Sequence, residues 1–134
     1  MAEALVLDTH PVLFYAGNDR RKLGRVARTF FEELEQGEGT GYVPAPVVME
    51  SGFLLKRGTI DHPLGLRSWW RAMERTGLIQ VDLTAEDVLA AAELDWSHPD
   101  PFDRLIVATA LRLGLPLLTR DAAIAEWGGV EVVW

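Results

Sequence analysis

Apolar residues recur along this chain in two rhythms, short unbroken runs and helical stripes, and the two rhythms alternate. ALVLD (4–8), LIQVDL (78–83), LPLLT (115–119) and the closing VEVVW read as strands, the first having the pattern of a buried parallel strand. GYV is at most a short strand before Pro44. Between them lie helical stretches. Pro11 suits the first turn of a helix that follows the first strand. RRKLGRVARTFFEELEQG places Leu23, Val26, Ala27, Phe30 and Leu34 on one stripe and ends near Gly37. Its charges run from basic to acidic, opposite to the preference of the helix dipole.

PVVMESGFLLKRG runs from Pro46 to Gly58, and HPLGLRSWWRAMERTG repeats the proline-in, glycine-out grammar from Pro63 to Gly77. Thr84 and Asp87 approximate a capping box for AEDVLAAAEL. After the loop DWSHPDP a helix is predicted from Pro101 to about Leu113, with Gly114 just past its end. DAAIAEW is a short helix before the last strand.

Strands alternating with helices imply an α/β fold, a three-layer α/β/α sandwich around a central parallel β-sheet with right-handed crossovers. No repeat, low-complexity segment or linker interrupts the pattern, so residues 1–134 read as a single domain. Ligands in such sheets bind outside the carboxyl ends of the strands. Asp8 closes the first strand and Asp121 follows the strand that ends at Thr119, so both belong to that edge.

Composition narrows the chemistry. There are no cysteines, which removes disulfides, thiolate metal sites and thiol nucleophiles together. A metal would be held by oxygen or imidazole, and the chain has three histidines. Each of these, His10, His62 and His98, precedes a proline and reads as a turn residue. No apolar run approaches the roughly 18 residues of a membrane span. The opening MAEALVLD lacks the basic start of a signal peptide, so a cytoplasmic protein is expected. A net charge of −7 argues against broad nucleic-acid binding, but DRRKLGRVAR (19–28) concentrates Arg20, Arg21, Lys22, Arg25 and Arg28, a candidate RNA-binding patch. The competing reading is an ordinary solvated helix face.

The carboxylates carry the sharper signal. Asp100 and Asp103 around Pro101 look like a helix start, and Asp121 suits a cap for the short helix after it. Asp8 has no comparable capping motive, and Glu50 lies in the apolar VVMESGFLL. Taken together, acids at strand ends and in an apolar helix suit Mg²⁺ or Mn²⁺, which take hard oxygen ligands. Without an ion such acids repel, so at least one is expected to titrate high. No GxxxxGK[ST] phosphate loop and no GxSxG nucleophile elbow is present. Metal-assisted phosphoryl chemistry therefore fits better than a nucleophilic triad.

The order LDTH, VMES, DPFDRLIVATAL and LLTRD resembles the PIN domain, in particular the VapC-type toxins of toxin–antitoxin pairs. Residues 83–124 carry the strongest part of the likeness. The resemblance implies a Mg²⁺- or Mn²⁺-dependent endoribonuclease with one or two ions per site. Asp8, Glu50, Asp103 and Asp121 match its four catalytic and metal-binding acids, with Thr119, Thr9 and Asp100 in support. It also implies a homodimer, an RNA substrate and a VapB-like antitoxin with a basic or apolar C-terminal segment. Phe14, Tyr15, Phe53, Trp69 and Trp70 are candidates for the groove that such a segment fills, or for the core. Trp69 and Trp70 are adjacent on one helix and cannot both face inward, which assigns at least one to a surface. Two other readings use the same acids: a PIN-like scaffold that binds RNA or protein without cutting, and a DNA-directed nuclease.

Overall fold

The computed structural model describes residues 3–17, 19–58, 62 and 64–134. Its strands are β1 (Ala4–Leu7), β2 (Thr40–Pro44), β3 (Leu78–Val81), β4 (Leu117–Leu118) and β5 (Val132–Val133). Its helices are α1 (Thr9–Ala16), α2 (Arg25–Glu35), α3 (Ala45–Lys56), α4 (Gly65–Glu74), α5 (Ala85–Glu93), α6 (Pro101–Leu113) and α7 (Ala122–Trp127). Every strand pairing is parallel, in the order β3-β2-β1-β4-β5, and helices complete the α/β/α sandwich. Among the described residues no helix is long and apolar enough to cross a membrane.

The topology explains why β1 has no polar position until Asp8. It is the middle strand, paired on both edges and covered on both faces, and Leu5, Val6 and Leu7 are buried. From β1 the chain winds outward to β2 and β3, then returns to lay β4 on the other side of β1. Strand order therefore reverses between β1 and β4, and the crevice at their carboxyl ends is where such sheets take ligands. Pairing of Leu7 with Leu118 sets Asp8 beside Thr119 at the mouth of that crevice.

Helix α6 is the most deeply set helix. Ile106, Val107, Ala108, Thr109 and Ala110 are buried in succession, because α6 packs on both α3 and α5 as well as on the core. Thr109 meets its polar requirement by donating to the Leu105 carbonyl at 2.8 Å. Gly114 closes the helix in the left-handed region at φ 65°, as the sequence pattern predicts.

The stretch 20–37 is not one helix. Arg20–Lys22 forms a separate 3₁₀ turn, Leu23 is extended, and α2 starts only at Arg25. Gly24 is the reason: a Cβ there would lie 2.5 Å from the Trp134 ring, and the backbone N–H of Val26 bonds the Trp134 carbonyl. Only Arg25 and Arg28 thus oppose the α2 dipole. The β3 strand stops at Val81, short of the predicted 83, and Pro63, the predicted start of α4, lies outside the described residues.

The capping box expected at Thr84 is present, and it has a further task. Asp87, 1% exposed, receives Arg112 Nε at 2.7 Å and Nη2 at 3.1 Å, which fastens α5 to the end of α6. Burial alone would raise the Asp87 carboxyl, but the Arg112 fork and the bonds with Thr84 outweigh it and hold its pKa below the usual range. An acid with a depressed native pKa stabilises the fold above its unfolded pKa, and that contribution is lost as pH falls through the native value. Arg112→Ala is expected to lower unfolding free energy by about 2 kcal/mol, less than a fully buried pair because Arg112 is partly solvated. In urea titrations the difference from wild type should shrink below roughly pH 4; an unchanged difference there would contradict the ion-pair account.

Candidate active site

The carboxyl-edge crevice collects side chains from four elements. Asp8 leaves the end of β1 and is 5% exposed. Its Oδ1 accepts from the Thr9 backbone N–H at 2.7 Å and its Oδ2 accepts from Thr119 Oγ1 at 2.7 Å. Thr119 Oγ1 in turn accepts from the Asp121 N–H at 3.0 Å, so one hydroxyl ties the first acid to the fourth. Thr9 Oγ1 donates to Glu50 Oε1, which carries the α3 acid to the start of α1. Asp8, Thr9, Glu50, Thr119 and Asp121 thus form one chain of hydrogen bonds.

Asp103, in the first turn of α6, shares no hydrogen bond with that chain but is near enough to feel the charge of Asp8 and Asp121, and His98 holds it. His98 Nε2 lies 2.7 Å from Asp103 Oδ2, so the turn reading of this histidine needs correction. Of the other two, exposed His10 is the second residue of α1, and His62 accepts the Leu64 N–H within a turn. The His98 ring is the end of a stack: it lies 4.5 Å from Trp96, which lies 4.9 Å from Trp127. Arg104 fixes the same loop from beneath, donating to the carbonyls of Ala91, Ala92, Leu94, Trp96 and His98 at 2.6–3.3 Å. A guanidinium with all its donors turned to backbone carbonyls is a structural clamp, not a substrate ligand. Sequence reasoning missed this device, although the Arg directly after Asp103 and the Trp two residues before His98 were its visible traces.

Asp100 has two roles open to it. Its Oδ1 caps α6, accepting from Phe102 N–H at 2.8 Å and Asp103 N–H at 3.3 Å. It also belongs, with His98 and Asp103, to the one trio of potential metal-ligand side chains among the described residues whose donor atoms lie within 4.8 Å of one another. Asp121 likewise caps α7 through Oδ1, from Ala123 at 2.8 Å and Ile124 at 3.2 Å. Capping and site-building are therefore compatible. Asp100, Asp103, Asp121 and Glu50 each engage one carboxylate oxygen with the described residues and leave the other without such a bond.

The electrostatics are those of acids held apart from water and near each other. Burial pushes the Asp8 carboxyl up, against the bonds from Thr119 and Thr9 and the proximity of His10, while Asp121 adds repulsion. Asp103 is pushed up to about 6, first by burial and then by Asp8, Asp100 and Asp121, with the His98 bond opposing them. Free oxygens on several neighbouring carboxylates, with no thiolate among them, fit a hard divalent cation. Such an ion would relieve the repulsion that adds to burial in raising these two acids.

The remaining candidates scatter. Arg20 pairs with Glu35 and lies over the Tyr15 ring, Arg21 extends into solvent, and Arg28 Nε donates to the Leu23 carbonyl. Arg25 lines a separate cavity with Glu3, Val26, Thr29 and Glu33. Lys22 alone of the five reaches over Phe14. Tyr15 stacks on Phe31 at 4.3 Å, and Trp69, 6% exposed, is core. Trp70 is half-buried and lines a cavity with Val48, Leu64, Leu66 and Arg67. Phe53, 39% exposed, meets the edge of Phe102 beside the α6 start.

The family model for the PIN domain matches residues 5–129. The chain belongs to the PIN-domain family. Solved structures agree on the fold. VapBC2 from Rickettsia felis, bound to a DNA fragment from its promoter, superposes with a TM-score of 0.71 at 14% identity, covering 97% of each chain. A toxin–antitoxin complex from Klebsiella pneumoniae gives 0.64 at 19% identity, over 97% of this chain and 96% of that one. VapC20 of Mycobacterium tuberculosis, a sarcin–ricin loop cleaving toxin, gives 0.65 at 20% identity, over 96% and 98%. A search of curated proteins returns no match.

The raised Asp103 carboxyl has a stability consequence. An acid whose native pKa exceeds its unfolded value weakens the fold as pH rises from the unfolded pKa to about 6, and the loss is complete at pH 7. Asp103→Asn is therefore expected to stabilise the metal-free PIN domain at pH 7 by on the order of 1–2 kcal/mol, with most of the gain gone at pH 4. His98→Ala should move the Asp103 titration midpoint, read by carboxyl ¹³C NMR, upward from about 6; a downward move would remove His98 from the role given to it.

Proposed function

We propose that this PIN domain is a metal-dependent endoribonuclease that acts as the toxin of a type II toxin–antitoxin pair. The observation that supports the proposal is the hydrogen-bonded chain that links Asp8 to Glu50 through Thr9 and to Asp121 through Thr119, with Asp103 near enough to feel the charge of Asp8 and Asp121. The similarity in fold to toxins and toxin–antitoxin complexes supports it. A divalent ion bound there supplies Lewis acidity, lowering the pKa of a water and stabilising charge on a phosphodiester. Mg²⁺ or Mn²⁺ suits the donor set equally.

The side chains divide the work. Asp8 and Asp103 would be the principal ligands of such an ion, and Glu50 and Asp121 would complete the shell directly or through water. Thr119 holds Asp8 in one orientation by donating to Oδ2, and Thr9 does the same for Glu50. His98 fixes the Asp103 rotamer through Oδ2 and leaves Oδ1 without a bond to the described residues. An antitoxin with a basic or apolar C-terminal segment has an exposed apolar margin to meet beside Glu50, formed by Met49 and Phe53 one turn apart on α3. The toxin is proposed to act as a homodimer in the cytoplasm.

Asp8→Asn and Asp103→Asn are each expected to reduce RNA cleavage by more than the roughly 10–100-fold typical of losing an indirect metal contact. Both variants should remain folded, and both should relieve growth arrest on expression. Mn²⁺ titration of wild type by calorimetry should show binding that Asp103→Asn weakens. Full cleavage by both variants would sink the assignment; a wild type that binds RNA but neither binds Mn²⁺ nor cuts would favour the non-cutting scaffold.

A further inference from the structure

The acid crevice has one wall of opposite charge. Asp8, Thr119 and Asp121 share a cavity of about 320 Å³ with His10 and Arg120. Arg120 is exposed, and among the described residues it makes no ion pair or side-chain hydrogen bond. Its backbone is nonetheless fixed on both sides, by buried Thr119 on Asp8 and by Asp121 capping α7. The guanidinium lies over the ring of Phe14, with Cζ 4.7 Å from the centroid. Lys22 Nζ lies 5.4 Å from the same centroid, and the His10 ring 5.9 Å away. Three basic side chains from α1, the 3₁₀ turn and the β4–α7 junction thus converge on one half-buried aromatic.

Two full cations on one ring repel each other. The negative face of the ring offsets part of that repulsion, and Asp19, 3.3 Å from Lys22, offsets more on that side. Arg120 has no such carboxylate bond. The arrangement gains most from a polyanion, one charge of which meets Arg120 at the acid cavity and another Lys22 at the same Phe14 ring. A single phosphate would fit one cation; a polyanion with evenly spaced charges fits both. A site with four carboxylates in a chain of net charge −7 also needs local positive charge to hold a nucleic acid strand.

We propose that Arg120 and Lys22, positioned by Phe14, form a subsite for the backbone phosphates of the RNA strand that flank the scissile position. The inference rests on the ribonuclease reading and gives that site its strand-binding wall. Phe14 is a positioning residue, since the cations occupy its ring. His10 faces Asp8 and Asp121 as well as Phe14 and is left outside the proposal.

The test uses the full chain and a fluorescein-labelled 12-nucleotide single-stranded RNA, with binding followed by anisotropy over a range of KCl concentrations. Arg120→Ala and Lys22→Ala are each expected to weaken binding about fivefold to tenfold. Each should lower the slope of log K against log salt by about 0.7, the amount for one phosphate contact on a single strand. Arg120→Lys should restore the slope. Phe14→Leu should weaken binding with the formal charge unchanged, which separates positioning from charge. Arg71→Ala, on α4, should leave both quantities as in wild type. Wild-type affinity and slope in Arg120→Ala and Lys22→Ala, with wild type cutting total RNA in Mn²⁺, would overturn this inference alone. Failure of wild type to cut total RNA would overturn the ribonuclease reading on which it rests.

Discussion

Burying an aspartate at the end of the central strand is the constraint on which the architecture of the crevice depends. Asp8 follows three core residues and has almost no contact with water. A carboxylate in that position is strongly disfavoured unless donors meet it. The Thr9 N–H supplies one, available because α1 begins immediately after the strand. Thr119 supplies the other, and reaches Asp8 only because β4 lies directly beside β1. Had the chain continued outward from β3, another residue would lie beside Asp8. The reversal of strand order thus places the crevice and also makes its central acid tolerable.

A second layer of rigidity surrounds the third acid. Asp103 starts α6, where backbone capping by Asp100 fixes the main chain but leaves its own side chain a choice of rotamers. The choice is removed by His98, itself immobilised by the Trp96–Trp127 stack and by the Arg104 clamp. Arg104 reaches five carbonyls across the α5–α6 connection, so a loop without regular structure becomes part of the scaffold. The Asp87–Arg112 pair fastens the other end of the same two helices. Together these contacts hold α6 as a fixed post between core and crevice.

Much of this was legible in the chain because its causes are local. Alternating apolar runs and stripes report burial on a period that each element sets for itself, so element order, parallel sheet and carboxyl-edge location followed from pattern alone. Capping residues act within three positions, which is why Thr84, Asp100 and Gly114 were readable. The single helix expected over 20–37 failed for a non-local reason, the seating of Trp134 on Gly24. The turn reading failed for His98 in a similar way, since a proline after it describes the backbone and says nothing of a ring stacked between Trp96 and a carboxylate.

What the sequence determined by itself was therefore the kind of fold, the placing of Asp8 and Asp121 beyond the carboxyl ends of β1 and β4, and the absence of thiol chemistry. What only the tertiary structure decided was which groups meet the acids, Thr119 on Asp8, Thr9 on Glu50 and His98 on Asp103, and that Arg120 and Lys22 both reach the Phe14 ring. The reason is the range of the forces. Hydrophobic periodicity and capping operate within a few residues, whereas donors for a buried carboxylate come from whichever strand the topology lays beside it, in this case 111 positions away.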